Sequence, residues 1–185
     1  MAARILAFAG SLRKDSLNRK LLAQVDQLVN FNGGEIDVVD LNHFPLPFYN
    51  AEIQDEGFPE NADKLKAMLD QVHGILIVTP EYNFSFPAVV KNTIDWWSRY
   101  KPNPLQGKQG MLMSASPSLI GGNRGLWQLR QPLEALGVHV HPNMFSLAQA
   151  HDAFADDGTL KDPALQKRLE DTVISFIHLV DKVRR

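Results

Sequence analysis

Three short stretches carry residues whose types and spacing suit ligand chemistry. The first, "GSLRKDSLN" from Gly10 to Asn18, follows an apolar run and opens a segment with helical spacing. Amides at a helix start have no intrahelical partners and favour an anion. Ser11, Ser16 and Asn18 add neutral donors and Arg13 a charge-assisted one, a set suited to a phosphate monoester. The plainer alternative is that Asp15 or Ser16 caps the helix. Neither G-x-x-x-x-G-K-[ST] nor G-x-G-x-x-G occurs there, so a nucleoside triphosphate loop is absent and a dinucleotide pyrophosphate site is disfavoured.

The second stretch is "PEYNFSFP", Pro80 to Pro87. Glu81 and Asn83 can bond backbone groups around a tight turn, and Tyr82 and Phe84 offer aromatic surface to a planar ring. The alternative is an ordinary turn with Tyr82 in the core. The third, "SPSLIGGNRG" from Ser116 to Gly125, contains Gly121 and Gly122, which allow either a close backbone approach or a loose turn. Other candidates are weaker. His139 and His141 alternate on a strand but have no third ligand at fixed spacing, so they read as structural or solvated. Asp157-Gly158 reads as a turn. No G-x-S-x-G elbow occurs, and the absence of cysteine removes disulfides, thiolate metal sites and a thiol nucleophile.

The elements that must position these stretches follow from hydrophobic patterning. Apolar runs at Arg4–Gly10, Glu35–Asp40, Gly74–Pro80, Gly110–Ser116 and Val138–Phe145 read as strands. The first, third and fourth lack clean alternation, as strands covered on both faces do. Helical spacing marks Ser16–Phe31, Asn61–Val72, Pro87–Tyr100, Arg124–Leu136 and Pro163–Arg185. The basic end of the last segment, "DKVRR", suits a helix C-terminus. Strand and helix alternate throughout, which predicts a single α/β domain over residues 1–185: a doubly wound five-stranded parallel sheet, order 2-1-3-4-5, with helices on both faces. Ligands bind such sheets beyond the carboxyl ends of the strands, and the three polar loops follow strands one, three and four. Leu41–Pro59 and Ala148–Pro163 read as long loops, a length more often functional than idle.

Composition agrees with a compact soluble chain: 185 residues, 44% hydrophobic and 22% charged, with a formal net charge of −2. Nothing in that balance points to nucleic acid or to a membrane surface. No apolar run reaches the length of a membrane span or completes a signal peptide, and a cytoplasmic location is expected.

Taken together, the loops resemble the NAD(P)H-dependent FMN reductases, the flavodoxin-like family with chromate and quinone reductase and azoreductase relatives. Its G-S-x-R-x-x-S-x-N-x-x-L signature is matched at Gly10, Ser11, Arg13, Ser16, Asn18 and Leu21. P-x-Y-N followed by K-N-A-I-D-W is met by "PEYNFSFPAVVKNTIDWWSR", with Thr93 at the usual alanine. S-x-G-x-x-G-G-x-R appears as "SPSLIGGNR", with Ser118 in place of the first glycine. The resemblance implies non-covalent FMN with NAD(P)H as co-substrate. Ser11, Arg13, Ser16, Leu17 and Asn18 would hold the phosphate. Pro80, Glu81, Tyr82, Asn83 and Phe84 would line the isoalloxazine, and Ser116 would approach its pyrimidine side. Electrons would pass by a ping-pong mechanism to quinones, free flavin, azo compounds or chromate, and no catalytic side chain is named. Alternatives are a flavodoxin-type electron carrier without its own NAD(P)H activity and a flavin-free binding module.

A homodimer or homotetramer is also expected, with Pro87–Tyr100 in the interface. At 100° per residue its apolar residues fill an arc of roughly 160°, wider than one sheet contact needs. Trp96 and Trp97 are adjacent, so one is expected on the sheet and the other outside the monomer. The alternative places one of them under the Leu41–Pro59 segment.

Overall fold

Residues 2–183 are described by the computed structural model. Strands β1 (Arg4–Ala9), β2 (Glu35–Val39), β3 (Gly74–Val78) and β4 (Gln109–Ala115) form a parallel sheet with two short strands, β5 (His139–Val140) and β6 (Phe145–Leu147). The order is β2-β1-β3-β4-β5, as the alternation of elements predicts. The fifth position departs from expectation, because β5 and β6 pair successively with β4 in place of one continuous strand. Pro142 is the reason. His141 N still donates to Gly110 O at 2.7 Å, but Pro142 has no N–H to continue the ladder. His141 Nδ1 then accepts from Asn143 N at 3.1 Å and turns the chain.

Helices α1 (Leu17–Phe31) and α6 (Pro163–Val183) cover one face. On the other lie α3 (Glu60–Asp70), α4 (Ala88–Trp97) and α5 (Asn123–Ala135). Arg184 and Arg185, in the basic tail, lie outside the described residues. Alternation along β1 divides the core: Ile5, Ala7 and Ala9 pack with Val25, Val173 and Phe176, and Leu6 and Phe8 with Leu65, Ile94 and Leu129. The Leu41–Pro59 segment is more ordered than its sequence suggests. It contains a 3-10 turn, Leu41–His43, and a short helix, α2 (Ala51–Glu56), capped by the Asn50 side chain. No α2 residue is buried, so no apolar stripe announces it.

This segment also overturns the expectation that a tryptophan faces out of the monomer. Trp97 meets Phe8 of the sheet edge-on, with ring centroids 6.1 Å apart. Trp96 is fully buried beneath the segment, against Tyr49 and Phe58, and its Nε1 donates to Pro47 O at 2.8 Å. The outer face of α4 instead carries the Lys91–Asp95 ion pair. Thr93, at the family's usual alanine, is accommodated by donating to Val89 O at 2.8 Å. Removing Trp96 would empty the space that holds this segment down. Trp96→Ala is therefore expected to lower unfolding free energy by roughly 3–5 kcal/mol in urea denaturation.

Candidate functional site

The register sets Ala9 beside Val78 and Val78 beside Met113, so the loops after β1, β3 and β4 leave the sheet along one edge. In the first loop, Ser11 and Ser16 are buried and Arg13 is exposed. Ser16 is the N-cap of α1, its Oγ accepting from Asn18 N at 3.2 Å, and the hydroxyl keeps its own proton to donate. The Ser11 hydroxyl and the Arg13 guanidinium have no partner among the described residues. Two of the loop's carbonyls are taken from outside: Arg19 Nε donates to Ser11 O at 3.3 Å, and Asn42 Nδ2 to Leu12 O at 3.1 Å. The donors of this loop therefore outnumber its open acceptors, as an anion site requires.

Arg19 also pairs with Asp40, the residue after β2. Burial raises the Asp40 carboxyl pKa, but the Asn42 N–H and the Arg19 guanidinium outweigh it and hold the group below the usual aspartate range. Sequence reading missed Arg19, Asp40 and Asn42, because nothing in their spacing signals that they brace a loop.

Asn18 also has a structural task. It is 3% exposed, its Nδ2 donates to Ala115 O at 2.9 Å, and its Oδ1 accepts from Ala115 N at 2.9 Å. Its carboxamide thereby ties the start of α1 to the end of β4, and the second N–H of Nδ2 is left to donate. Leu17 is half-buried and packs against the α1–α6 core.

In the second loop, Tyr82 and Ser85 exchange backbone bonds of 2.8 and 3.0 Å around Asn83 (φ 49°) and Phe84 (φ 67°). Successive left-handed residues define the type I′ turn, for which asparagine then glycine is the favoured pair. A phenylalanine in that conformation costs on the order of 1–3 kcal/mol and persists only where the surroundings impose it. Both aromatics face solvent, Tyr82 at 50% and Phe84 at 65% exposure. The Arg124 guanidinium lies 4.1 Å from the Phe84 ring centroid. Pro80 and Glu81 are half-buried, and Glu81 reaches across to the start of α5.

The third loop is tighter than its glycines alone suggest. Gly122 has φ 83°, and a Cβ there would fall 2.0 Å from Ser114 Oγ. At Gly121, φ is 67° and a Cβ would meet Ala148 N at 2.9 Å. Ser116 Oγ accepts from Ser118 N at 3.2 Å, and the two hydroxyls are 3.1 Å apart, so Ser118 closes a local turn where the motif usually has glycine. Leu119 and Ile120 are exposed beside it.

The three loops thus place a donor-rich helix start at one end and exposed aromatic and aliphatic surface at the other. That donor set fits the phosphate of a flavin mononucleotide, and the surface fits its ring. A cleft of about 690 Å³ elsewhere, between α5, Pro142–Met144 and α6, adjoins this site only through Asn123. His139 is exposed, and both ring nitrogens of His141 are engaged, by Asn143 and by Ser175 Oγ. Among the described residues no group of three or more His, Asp or Glu gathers as metal ligands would. No described helix is long and apolar enough to cross a membrane.

Residues 3–152 match the family model described as NADPH-dependent FMN reductase. The chain belongs to this family. An NAD(P)H-dependent FMN reductase of Pseudomonas aeruginosa is 33% identical over 168 residues, covering 90% of this chain and 89% of that protein. A quinone reductase of Escherichia coli K12 is 36% identical over 141 residues, covering 74% of this chain and 72% of that one. Among solved structures, the flavoenzyme NAD(P)H:(acceptor) oxidoreductase FerB of Paracoccus denitrificans superposes with a TM-score of 0.85 at 30% identity, covering 97% and 98% of the two chains. A flavodoxin of Bacillus cereus, 12% identical with a TM-score of 0.62 over 96% and 98% of the chains, shares the fold. The family motif includes Arg124, but only the structure shows what that side chain touches.

Two outcomes follow from this bracing. Asn18→Ala leaves both backbone groups of Ala115 without partners, and urea denaturation should show a loss of about 1–3 kcal/mol for each. Because the folded pKa of Asp40 is depressed, its stabilisation is complete above the ordinary aspartate pKa of about 3.9 and is lost as pH falls through the lower folded value. Asp40→Asn should therefore flatten the acid limb of a stability–pH profile and leave its slope near neutrality unchanged.

Proposed function

We propose that this chain is an FMN-dependent NAD(P)H oxidoreductase that passes electrons from the nicotinamide to a quinone or similar small acceptor by a ping-pong mechanism. The observation that carries the reading is the pairing of an open donor set on the first loop with the strained, aromatic Tyr82–Ser85 turn on the second, within a chain of this family. Ser11, Arg13, the Ser16 hydroxyl and the first-turn amides of α1, Leu17 among them, would hold the phosphate. Asn18, whose Nδ2 keeps a second N–H beyond the one given to Ala115 O, would join them; Pro80 to Phe84 would line the ring and Ser116 would lie at its edge.

When bound, FMN supplies the hydride and electron chemistry that no side chain here provides. The residues' part is to hold and to exclude. The braced first loop fixes one end of the ligand. Asn83 and Phe84 present backbone amides that the turn's own pair of bonds does not use, available to a developing negative charge. The exposure of Tyr82, Phe84, Leu119 and Ile120 leaves planar acceptors room to approach, which favours a broad acceptor range including quinones, free flavin and azo compounds, with chromate as an inorganic acceptor. Assembly as a homodimer or homotetramer is part of the same reading and rests on the family alone, since α4 offers no exposed tryptophan. A cytoplasmic location rests on composition.

Ser16 caps α1, so Ser11 and Arg13 are the cleaner residues to remove. Each hydrogen bond to a charged group is worth about 1.5–3 kcal/mol, so Ser11→Ala with Arg13→Ala should weaken FMN binding at least a hundredfold in a fluorescence titration. Equal affinity in the double variant removes the phosphate assignment. Steady-state kinetics with a benzoquinone should give parallel double-reciprocal lines. Intersecting lines count against a shared flavin face.

A further inference from the structure

Helix α5 begins without a cap from its own N-cap residue. The preceding residue, Gly122, has φ 83° and no side chain to offer, so the first amides need an acceptor from elsewhere. Glu81 supplies it from the far side of the site. Its Oε2 accepts from Arg124 N at 3.1 Å and Gly125 N at 3.2 Å, and its Oε1 accepts from Arg124 Nε at 2.8 Å. The carboxylate is 9% exposed, sheltered by the partners it holds.

The same residue immediately precedes the turn at which Asn83 and Phe84 adopt left-handed backbone. Two further contacts join that turn to α5. A Cβ on Gly125 would lie 3.2 Å from both Glu81 Cβ and Ser85 O, so the helix and the turn meet with no side chain between them. Arg124, fixed by Glu81, covers the Phe84 ring. Backbone strain needs an external hold to persist, and these contacts are that hold.

We propose that Glu81 is a positioning residue of the flavin site: its carboxylate pins the Tyr82–Ser85 turn to the start of α5 and keeps it in the shape that receives the ring. This rests on reading the turn as flavin-lining. Glu81 also fills the N-terminus of α5 with a charge belonging to the protein, so that helix start is closed to an anion. A pre-shaped turn binds more tightly because its ordering cost has already been met in the free protein.

The test compares wild type, Glu81→Ala, Glu81→Gln and Gly125→Ala in two measurements. The first is amide exchange of FMN-free protein, read at the Tyr82 and Ser85 N–H groups with Ala115 as the internal reference. The second is FMN affinity by fluorescence titration, well below the unfolding temperature of every variant. Glu81→Ala should speed exchange at Tyr82 and Ser85 relative to Ala115 and weaken FMN binding by about tenfold or more. Glu81→Gln keeps an acceptor for the helix amides and should recover most of both properties. If Glu81→Ala does not fold, Gly125→Ala displaces the turn while keeping the cap and should weaken FMN binding in the same way. Wild type and Glu81→Ala binding FMN equally, whether or not exchange changes, would overturn the assignment; so would failure of Glu81→Gln to recover affinity. A wild-type protein that takes up no FMN would instead overturn the reading of the site itself.

Discussion

The Asn18–Ala115 pair is the interaction on which the rest of the ligand-facing edge depends. Asn18 lies on the first turn of α1, and Ala115 is the last residue of β4, so one carboxamide spans the end of β3 and holds the first and third loops at a set separation. Both bonds are shielded from water, where breaking them would leave polar groups buried and unpaired. A parallel sheet brings its loops to a common edge, but hydrogen bonding between strands stops where the strands stop. Beyond that point side chains must take over, and Asn18 is the one that does so between α1 and β4.

The first loop is braced further by the same kind of substitution of side chain for ladder. Arg19 and Asn42 take the carbonyls of Ser11 and Leu12, and Asp40 orients both of them. These residues lie on α1 and after β2, and their effect is electrostatic as well as mechanical. A loop whose acceptors are occupied presents mainly donors, which biases it toward an anion before any ligand arrives.

Much of the fold was legible because burial on two faces leaves a distinct trace: the uninterrupted apolar runs of β1, β3 and β4, and the helical spacing between them. The split of the fifth strand was also written in the sequence, at Pro142, but a two-residue strand is too short for patterning to resolve. Helix α2 left no trace because only Ile53 of its six residues packs against the core, too little to form a stripe. At the site, residue types identified Ser11, Arg13, Ser16 and the Pro80–Phe84 stretch as candidates, and spacing could not distinguish a residue that faces a ligand from one that faces another loop. Asn18 and Glu81 each bond backbone remote in sequence, a bracing role that spacing does not announce. The two tryptophans show the same limit. Adjacent side chains must diverge, but the neighbour that receives Trp96 is the Leu41–Pro59 segment, whose path no local pattern specifies.

The interruption at Pro142 has a consequence for how this protein can meet other chains. A sheet normally ends in a row of open amides and carbonyls that invites another strand, and with it uncontrolled polymerisation. Here one border is a pair of fragments only two and three residues long, bent apart by a residue that cannot donate. The opposite border, β2, carries Glu35 and Asp37 and is flanked by Arg4, which pairs with both. Neither border offers a long, neutral template for growth, so specific self-association would have to be built on helices and loops, where side-chain chemistry selects the partner.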